Sequence, residues 1–403
     1  MGMEEKDAVI VGARCAGSTL AIALADRGWD VALVDRDTFP SDTISTHMMF
    51  PNTLASFQRL GVLDRLRRDH ELSPVAWRTI GLGHETAGAF TPIEGFDRAL
   101  SVRRISLDKA LVDLALEAGA QGRFGERVVD LIGSGTDDDP VAGIVLEGGH
   151  EIRAKWVFGA DGRGSTVAKR LGLSKEREQR GEIAFMWAYW RGIPEDGFGV
   201  TDIQEDAILV RWPVEDGVSM LTATGPDEFT HGSKEDRLRN YLAVLGRFPD
   251  SIPAEHLERG EMVSGVVVAP ESLMRGYFRR PTGPGWALLG DAVHFKHPGT
   301  AQGIGDAVAQ AIYIAKRVSG PDPELEGYED WHETRAAEHY DWSFAWGRFP
   351  RPEISERLFR GWADDPAAGQ DMRDTLSRRV RPSVAMSKER LERWFADVPA
   401  ANA

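Results

Sequence analysis

The sequence predicts an α/β fold in two interleaved parts with a helical end, and three observations predict it. Short apolar runs closing on glycine recur at residues 7–12, 156–159 and 286–290, the pattern of parallel strands buried on both faces. Between about 181 and 280 the texture changes to runs of alternating hydrophobicity, the mark of an antiparallel sheet. From Glu324 onward the pattern is helical.

The elements follow in order. Residues 7–11 form a buried strand, 15–27 an alanine-rich helix stopped by Gly28, and 30–34 a second strand ending at Asp35. This is one strand–helix–strand unit of about 30 residues. A helix at 107–118 leads to short strands between 120 and 147, with Asp137-Asp138-Asp139-Pro140 as a hairpin loop. The strand at 156–159 runs into Ala160-Asp161-Gly162. Strands at 183–191, 207–213, 218–224 and 262–269, with one helix near 233–246, make up the inserted sheet. The strand at 286–290 and a helix from about 300 to 318 return to the first style. Residues 1–180 and 281–320 are therefore expected to form one Rossmann-like domain, split by a sheet domain at 181–280 and followed by a helical region at 321–403. The tail is expected to pack on the Rossmann-like part, with capping of a pocket or dimerisation as alternatives.

Composition narrows the function. Across 403 residues, 48 basic side chains face 63 acidic ones, a net charge of -15. Such a chain has no global electrostatic reason to bind nucleic acid or an anionic membrane. The lone cysteine, Cys15, excludes a disulfide scaffold and any multi-cysteine zinc site. No metal-ligand spacing is present, and no apolar run approaches the roughly 20 residues that span a bilayer. The start, Met1-Gly2-Met3-Glu4-Glu5-Lys6-Asp7, lacks a signal-peptide pattern, so a cytoplasmic protein is expected.

Three motifs carry chemistry. Gly12-Ala13-Arg14-Cys15-Ala16-Gly17 lies between strand and helix and matches G-x-G-x-x-G except that Arg14 replaces the middle glycine. Gly12 permits the tight turn, Gly17 the close packing of the helix, and the helix N-terminus offers N–H groups to a pyrophosphate. Asp35 stands where an acid accepts from an adenosine ribose, and beside it is Arg36; an acid there disfavours a 2′-phosphate. Second, Asp161-Gly162 makes a turn after a buried strand, with Ser165 placed to cap a helix. Third, Gly290-Asp291 precedes a long loop, His294-Phe295-Lys296-His297-Pro298-Gly299-Thr300-Ala301-Gln302-Gly303-Ile304-Gly305. There an aspartate can accept from a hydroxyl, and glycines let a flat ring lie on the backbone.

In order and context these motifs resemble the flavoprotein family built on the p-hydroxybenzoate hydroxylase fold: the class A FAD-dependent monooxygenases and the related geranylgeranyl reductases and flavin-dependent halogenases. The resemblance covers roughly residues 7–318. It implies that Gly12, Ala13, Arg14, Cys15, Ala16, Gly17, Asp35 and Arg36 hold the ADP part of FAD, and that Arg104 and Val128 contact the cofactor. It ties Asp161 and Gly162 to FAD and reduced nicotinamide. It places Gly290 and Asp291 at the ribityl chain and Pro298, Gly299, Gln302, Gly303 and Ile304 beside the isoalloxazine.

The implied chemistry belongs to the flavin. NAD(P)H, or a separate flavin reductase, supplies electrons, and O₂ gives a C4a-hydroperoxide that transfers one oxygen to an aromatic or other apolar small molecule. A reductase acting on a C=C bond is the second reading and a halogenase the third. His47, Lys296 and His297 are the acid–base candidates; a lone histidine is more often a hydrogen-bonded structural residue. Trp187, Tyr189 and Trp212, on the inserted strands, are expected to flank the substrate, and a homodimer is compatible with the tail.

Overall fold

The structure, a computed structural model, describes residues 4–45, 47–320 and 325–396. Residues 1–3, 46, 321–324 and 397–403, among them the first residues of the expected helical region, lie outside the described residues.

The buried apolar runs do assemble side by side. Strands Gln121–Phe124, Val31–Asp35, Glu4–Val11, Glu151–Gly159 and Trp286–Leu288 pair in that order, all parallel. The first strand begins earlier than its apolar run because pairing with Glu151–Gly159 extends back to Glu4, opposite Ile152. Helix Cys15–Ala25 packs between Arg104–Glu117 and Gly303–Val318 on one face. On it, Leu20, Ala21 and Leu24 are fully enclosed. Strands Val128–Ile132 and Gly143–Leu146 pair antiparallel, so the triple-aspartate segment closes a hairpin as expected.

The second sheet runs Glu261–Met262, Ala184–Arg191, Val218–Gly225, Ile208–Pro213, Phe198–Ile203, Ala76–Gly81, His84–Gly88. Its last two strands come from well before residue 181 and enter through a parallel pairing of Ala76–Gly81 with Phe198–Ile203. Sequence reading missed all three: each is short, and the pairing that brings the 76–88 hairpin into this sheet spans more than a hundred residues. Strand Ala184–Arg191 is buried on both sides. Met186, Ala188 and Trp190 face Tyr241 and Leu245 of helix Lys234–Leu245. Phe185, Trp187 and Tyr189 face the other way, toward Trp342, Phe359 and Trp362.

Those last residues locate the tail. Helix Tyr328–Ala345 begins on the parallel-sheet domain, with Trp331 stacked on Tyr313 at 4.2 Å, and ends under the second sheet. Helices Pro352–Asp364 and Pro366–Leu376 continue beneath that sheet, where Trp342, Trp346, Trp362 and Trp394 touch in series. The expectation that the tail packs on the Rossmann-like part is thus corrected: it touches that part through Trp331 and Arg378, but Trp342, Trp346, Trp362 and Trp394 bury with the apolar face of the inserted sheet.

Candidate functional site

A cavity of about 610 Å³ runs from the glycine loop, past both aspartate motifs, to the inner face of the second sheet. That is the size of a cofactor pocket. Gly12, Arg14, Cys15, Ala16, Asp35, Arg36, Arg104, Val128, Asp161, Gly162, Gly290, Asp291, Lys296, His297, Pro298, Gly303, Ile304 and Trp187 all line it.

At its first end the glycine loop is tight. A Cβ on Gly17 would sit 1.7 Å from the Gly12 carbonyl oxygen, and one on Gly12 (φ +103°) would sit 2.4 Å from that of Ala160. Only glycine allows this approach. The first helical bond runs from Ser18 N–H to Arg14 C=O, leaving the N–H groups of Cys15, Ala16 and Gly17 ahead of it for an anion. Asp35 holds the loop itself: its carboxylate accepts from Ala13 N–H at 2.7 Å and from Asp37 N–H at 2.9 Å. Ala13 is fully buried and gives the loop this anchor.

The arginine that replaces the middle glycine is pinned. Arg14 donates to Asp108 at 3.0 Å, to Asp37 at 3.1 Å and to Ser41 Oγ at 3.0 Å. Fully buried Asp108 also accepts from Arg104 through both oxygens, at 3.1 and 2.9 Å, and from the Cys15 thiol at 3.3 Å. Asp108 and Asp37 together balance the charges of Arg14 and Arg104, so what the loop offers a pyrophosphate is its free N–H groups and the helix N-terminus. Burial, with Asp108 beside it, pushes the Cys15 thiol up, so it is no nucleophile. The sequence carried a signal for Asp108: it stands four residues after Arg104, one helical turn away.

Asp161 accepts from Thr166 N–H at 2.6 Å through one oxygen; its other oxygen is buried with no hydrogen-bond partner. Burial pushes its carboxyl up. Ser165 caps the following helix through Ala168 N–H at 3.0 Å, as predicted. The Asp291 carboxylate also lines the cavity, makes no hydrogen bond among the described residues, and is pushed up by burial. Beyond it, helix Gly303–Val318 opens with its first bond at Asp306 N–H, leaving the N–H groups of Gly303, Ile304 and Gly305 ahead of it. A Cβ on Gly303 would meet nothing within 4 Å, so open space lies above that backbone. Two unpartnered acceptors, two helix N-termini and a bare backbone fit a dinucleotide with a flat ring. FAD would be held by these groups and would supply the redox chemistry.

The flavin loop is braced from beneath. Lys296 Nζ lies 2.6 Å from Asp306 and donates to Gln302 at 3.0 Å, while Arg378 of the tail pairs with the same aspartate. Gln302 turns its amide away from the cavity to the Thr375 and Leu376 carbonyls, at 2.8 and 3.0 Å. Burial, then Arg378, brings the Lys296 ammonium down to about 7. Burial alone would raise Asp306, but Arg378 and Lys296 outweigh it and hold its carboxyl well below the usual range. Neither Asp306 nor Arg378 was singled out from sequence: Asp306 reads as a first-turn helix acid, and Arg378 is distant in the chain.

The two histidines are both buried, each with one ring nitrogen lacking a hydrogen-bond partner among the described residues. His297 accepts from Gly299 N–H at 3.2 Å and is wedged between Gly181 and Gly347, where an added Cβ would lie 2.3 and 2.6 Å from its ring. Burial brings it down to about 3. His47, at φ +51°, pairs with Tyr189 Oη at 2.5 Å and is likewise brought by burial, with Arg104 and Arg103 adding, to about 3. This pair stands outside the residues lining the large cavity. Trp212 and Gly299 also do; they line a second cavity of about 50 Å³, which shares Phe185, Thr222, Pro298 and Ala301 with the first.

Comparison with known proteins agrees with this geometry. The model of the family described as "FAD binding domain" matches residues 5–243. The chain is 29% identical to "Monooxygenase 1" of Arabidopsis thaliana over 79% of its own length and 81% of that protein's. It is 28% identical to a menaquinone reductase of Mycolicibacterium smegmatis, covering 85% and 83% respectively. Among solved structures, a flavoprotein/dehydrogenase from Cytophaga hutchinsonii superposes with a TM-score of 0.79 at 18% identity, over 98% of each chain, a likeness of fold alone. The chain belongs to the FAD binding domain family, that of the class A flavoprotein monooxygenases which its three motifs resemble.

Proposed function

We propose that this flavoenzyme places one oxygen atom of O₂ on an aromatic or other apolar small molecule, with NAD(P)H as reductant. The observation that carries the reading is the junction of the two cavities: the space above Gly303 leads past Pro298 and Ala301 to a chamber walled by Phe50, Trp77, Trp212 and Trp346. An apolar substrate there lies next to the flavin loop and away from water. In this reading residues 1–180 and 281–320 hold FAD and 181–280 the substrate, with Ala76–Gly88 joining the substrate side. Gly12–Gly17, Asp35, Arg104, Asp161 and Asp291 bind; the brace of Lys296, Asp306 and Arg378 orients the loop.

The likeness to a menaquinone reductase supports a second reading, reduction of a double bond without oxygen transfer. The two are separated by supplying ¹⁸O₂ to the FAD-loaded protein with NAD(P)H and a panel of phenols and quinones. Label in the product is expected. Product formation that proceeds equally in the absence of O₂ would overturn the monooxygenase reading in favour of the reductase.

A further inference from the structure

Strands Ile208–Pro213 and Val218–Gly225 of the inserted sheet meet in a tight turn, in which Asp216 (φ +63°) and Gly217 (φ +66°) are both left-handed. The turn holds the parallel-sheet domain at two points. Asp216 accepts from Glu71 N–H at 3.0 Å and lies 2.9 Å from His70 Nδ1. Glu215, fully buried, accepts from three donors at the start of helix Arg104–Glu117. These are Arg103 N–H at 2.9 Å, Arg103 Nε at 2.7 Å and Ser106 Oγ at 2.7 Å.

That helix does not cap itself. Arg103, in the capping position, brings no side-chain acceptor, and the first turn holds no acid. Arg103 and Arg104 therefore stand side by side at the positive end of the helix dipole. Asp108, from within the helix, answers the charge of Arg104, and Glu215, from the other domain, answers that of Arg103. Glu215 thus supplies both missing parts, an acceptor for a backbone N–H and a negative charge. A buried carboxylate with three donors fixes their positions, and removing its charge leaves a cation without its partner.

The residue after this anchor faces the cofactor cavity. Arg104 gives Nε and Nη2 to Asp108, while its Nη1 makes no hydrogen bond among the described residues and remains accessible, in a side chain that lines the large cavity. One turn of helix therefore joins the Glu215 contact to a free guanidinium N–H at the dinucleotide end of the site.

We propose that Glu215 is a positioning residue for the cofactor: from the inserted sheet it caps this helix and so aims the Arg104 guanidinium at the dinucleotide. The inference rests on the placing of Arg104 at FAD made above and goes beyond it, since a residue of the substrate side then sets how firmly the other side holds the cofactor.

The test is a double-mutant cycle on FAD affinity, read by fluorescence titration of the deflavinated full chain, with urea denaturation of each apoprotein alongside. Arg104→Met is expected to weaken FAD at least about tenfold, and Glu215→Gln about three- to tenfold. Because Glu215 acts through Arg104, adding Glu215→Gln to Arg104→Met should weaken FAD by less than about twofold more. Asp216→Asn, which disturbs the neighbouring anchor and spares Arg103 and Ser106, should lower stability and leave FAD affinity unchanged. Where Glu215→Gln does not fold, Arg103→Met with Glu215→Met removes the pair without leaving a charge behind, and the same loss of FAD affinity is expected. Unchanged FAD affinity on removing Glu215, full additivity with Arg104→Met, or an equal loss in Asp216→Asn would each overturn the positioning role. Unchanged affinity in Arg104→Met would instead overturn the placing of Arg104 at FAD, and the role of Glu215 with it.

Discussion

Asp306 is the site at which the structure makes its most demanding prediction. Its carboxylate is 7% exposed and lies 2.6 Å from Lys296 Nζ, 3.6 Å from His294 Nε2 and in contact with Arg378. At an effective dielectric of about 20, the Lys296 contact alone is worth about 6 kcal/mol of attraction, largely offset by desolvation. Asp306→Asn keeps the shape and leaves two buried cations facing each other, so a net loss of roughly 3–5 kcal/mol is expected. Its pH dependence follows from Lys296, at about 7 in the folded wild type against 10.5 ordinarily. Without the aspartate the folded value drops further. Below about pH 7 the wild type then keeps a proton that the variant releases, while both unfolded chains hold it. The penalty therefore grows as pH falls, by about 1.4 kcal/mol for each pH unit until the variant's own value is reached. Urea denaturation of the apoprotein, followed by tryptophan fluorescence near pH 6 and near pH 8, should show the larger loss at pH 6. Adding Lys296→Met should recover part of it. A penalty under about 1 kcal/mol at both values, or a larger one at pH 8, would refute the reasoning.

Three further outcomes are expected. Gly17→Val should abolish FAD retention, read as loss of colour after gel filtration, since even its Cβ falls 1.7 Å from the Gly12 carbonyl. Asp291→Ala should weaken FAD by roughly 10- to 100-fold, the worth of a charged hydrogen bond, in a fluorescence titration; unchanged affinity would count against the assigned pose. His47 and His297, both brought by burial to about 3 from 6.5, are neutral when folded and take up protons when unfolded, so stability is lost as pH falls from about 6.5 to 3. His297→Gln should flatten part of that slope in acid-denaturation curves.

What was legible in the sequence was what local pattern encodes. Strand runs closing on Gly12, Gly159 and Gly290 set out the parallel sheet, and the strand-like runs at 183–191, 207–213 and 218–224 pointed to the second one. The hairpin at 76–88 was not, since its partner strand lies more than a hundred residues away and has no local signature. Site residues divide in the same way. The glycine loop and Asp291 announce themselves by backbone demands, whereas Arg378, Thr222 and Thr300 acquire their surroundings only through tertiary packing. Gln302 shows both sides: sequence puts it in the flavin loop, and the fold turns its side chain to the tail.

That turn has a consequence for how the protein is made. Besides Lys296, Gln302 and Asp306 take partners at residues 375, 376 and 378, so the tail's share of the brace forms only after those residues have left the ribosome. The glycine loop and its strands emerge hundreds of residues earlier. A chain released before residue 375 would therefore carry the dinucleotide end of the site with its redox end lacking the tail's brace.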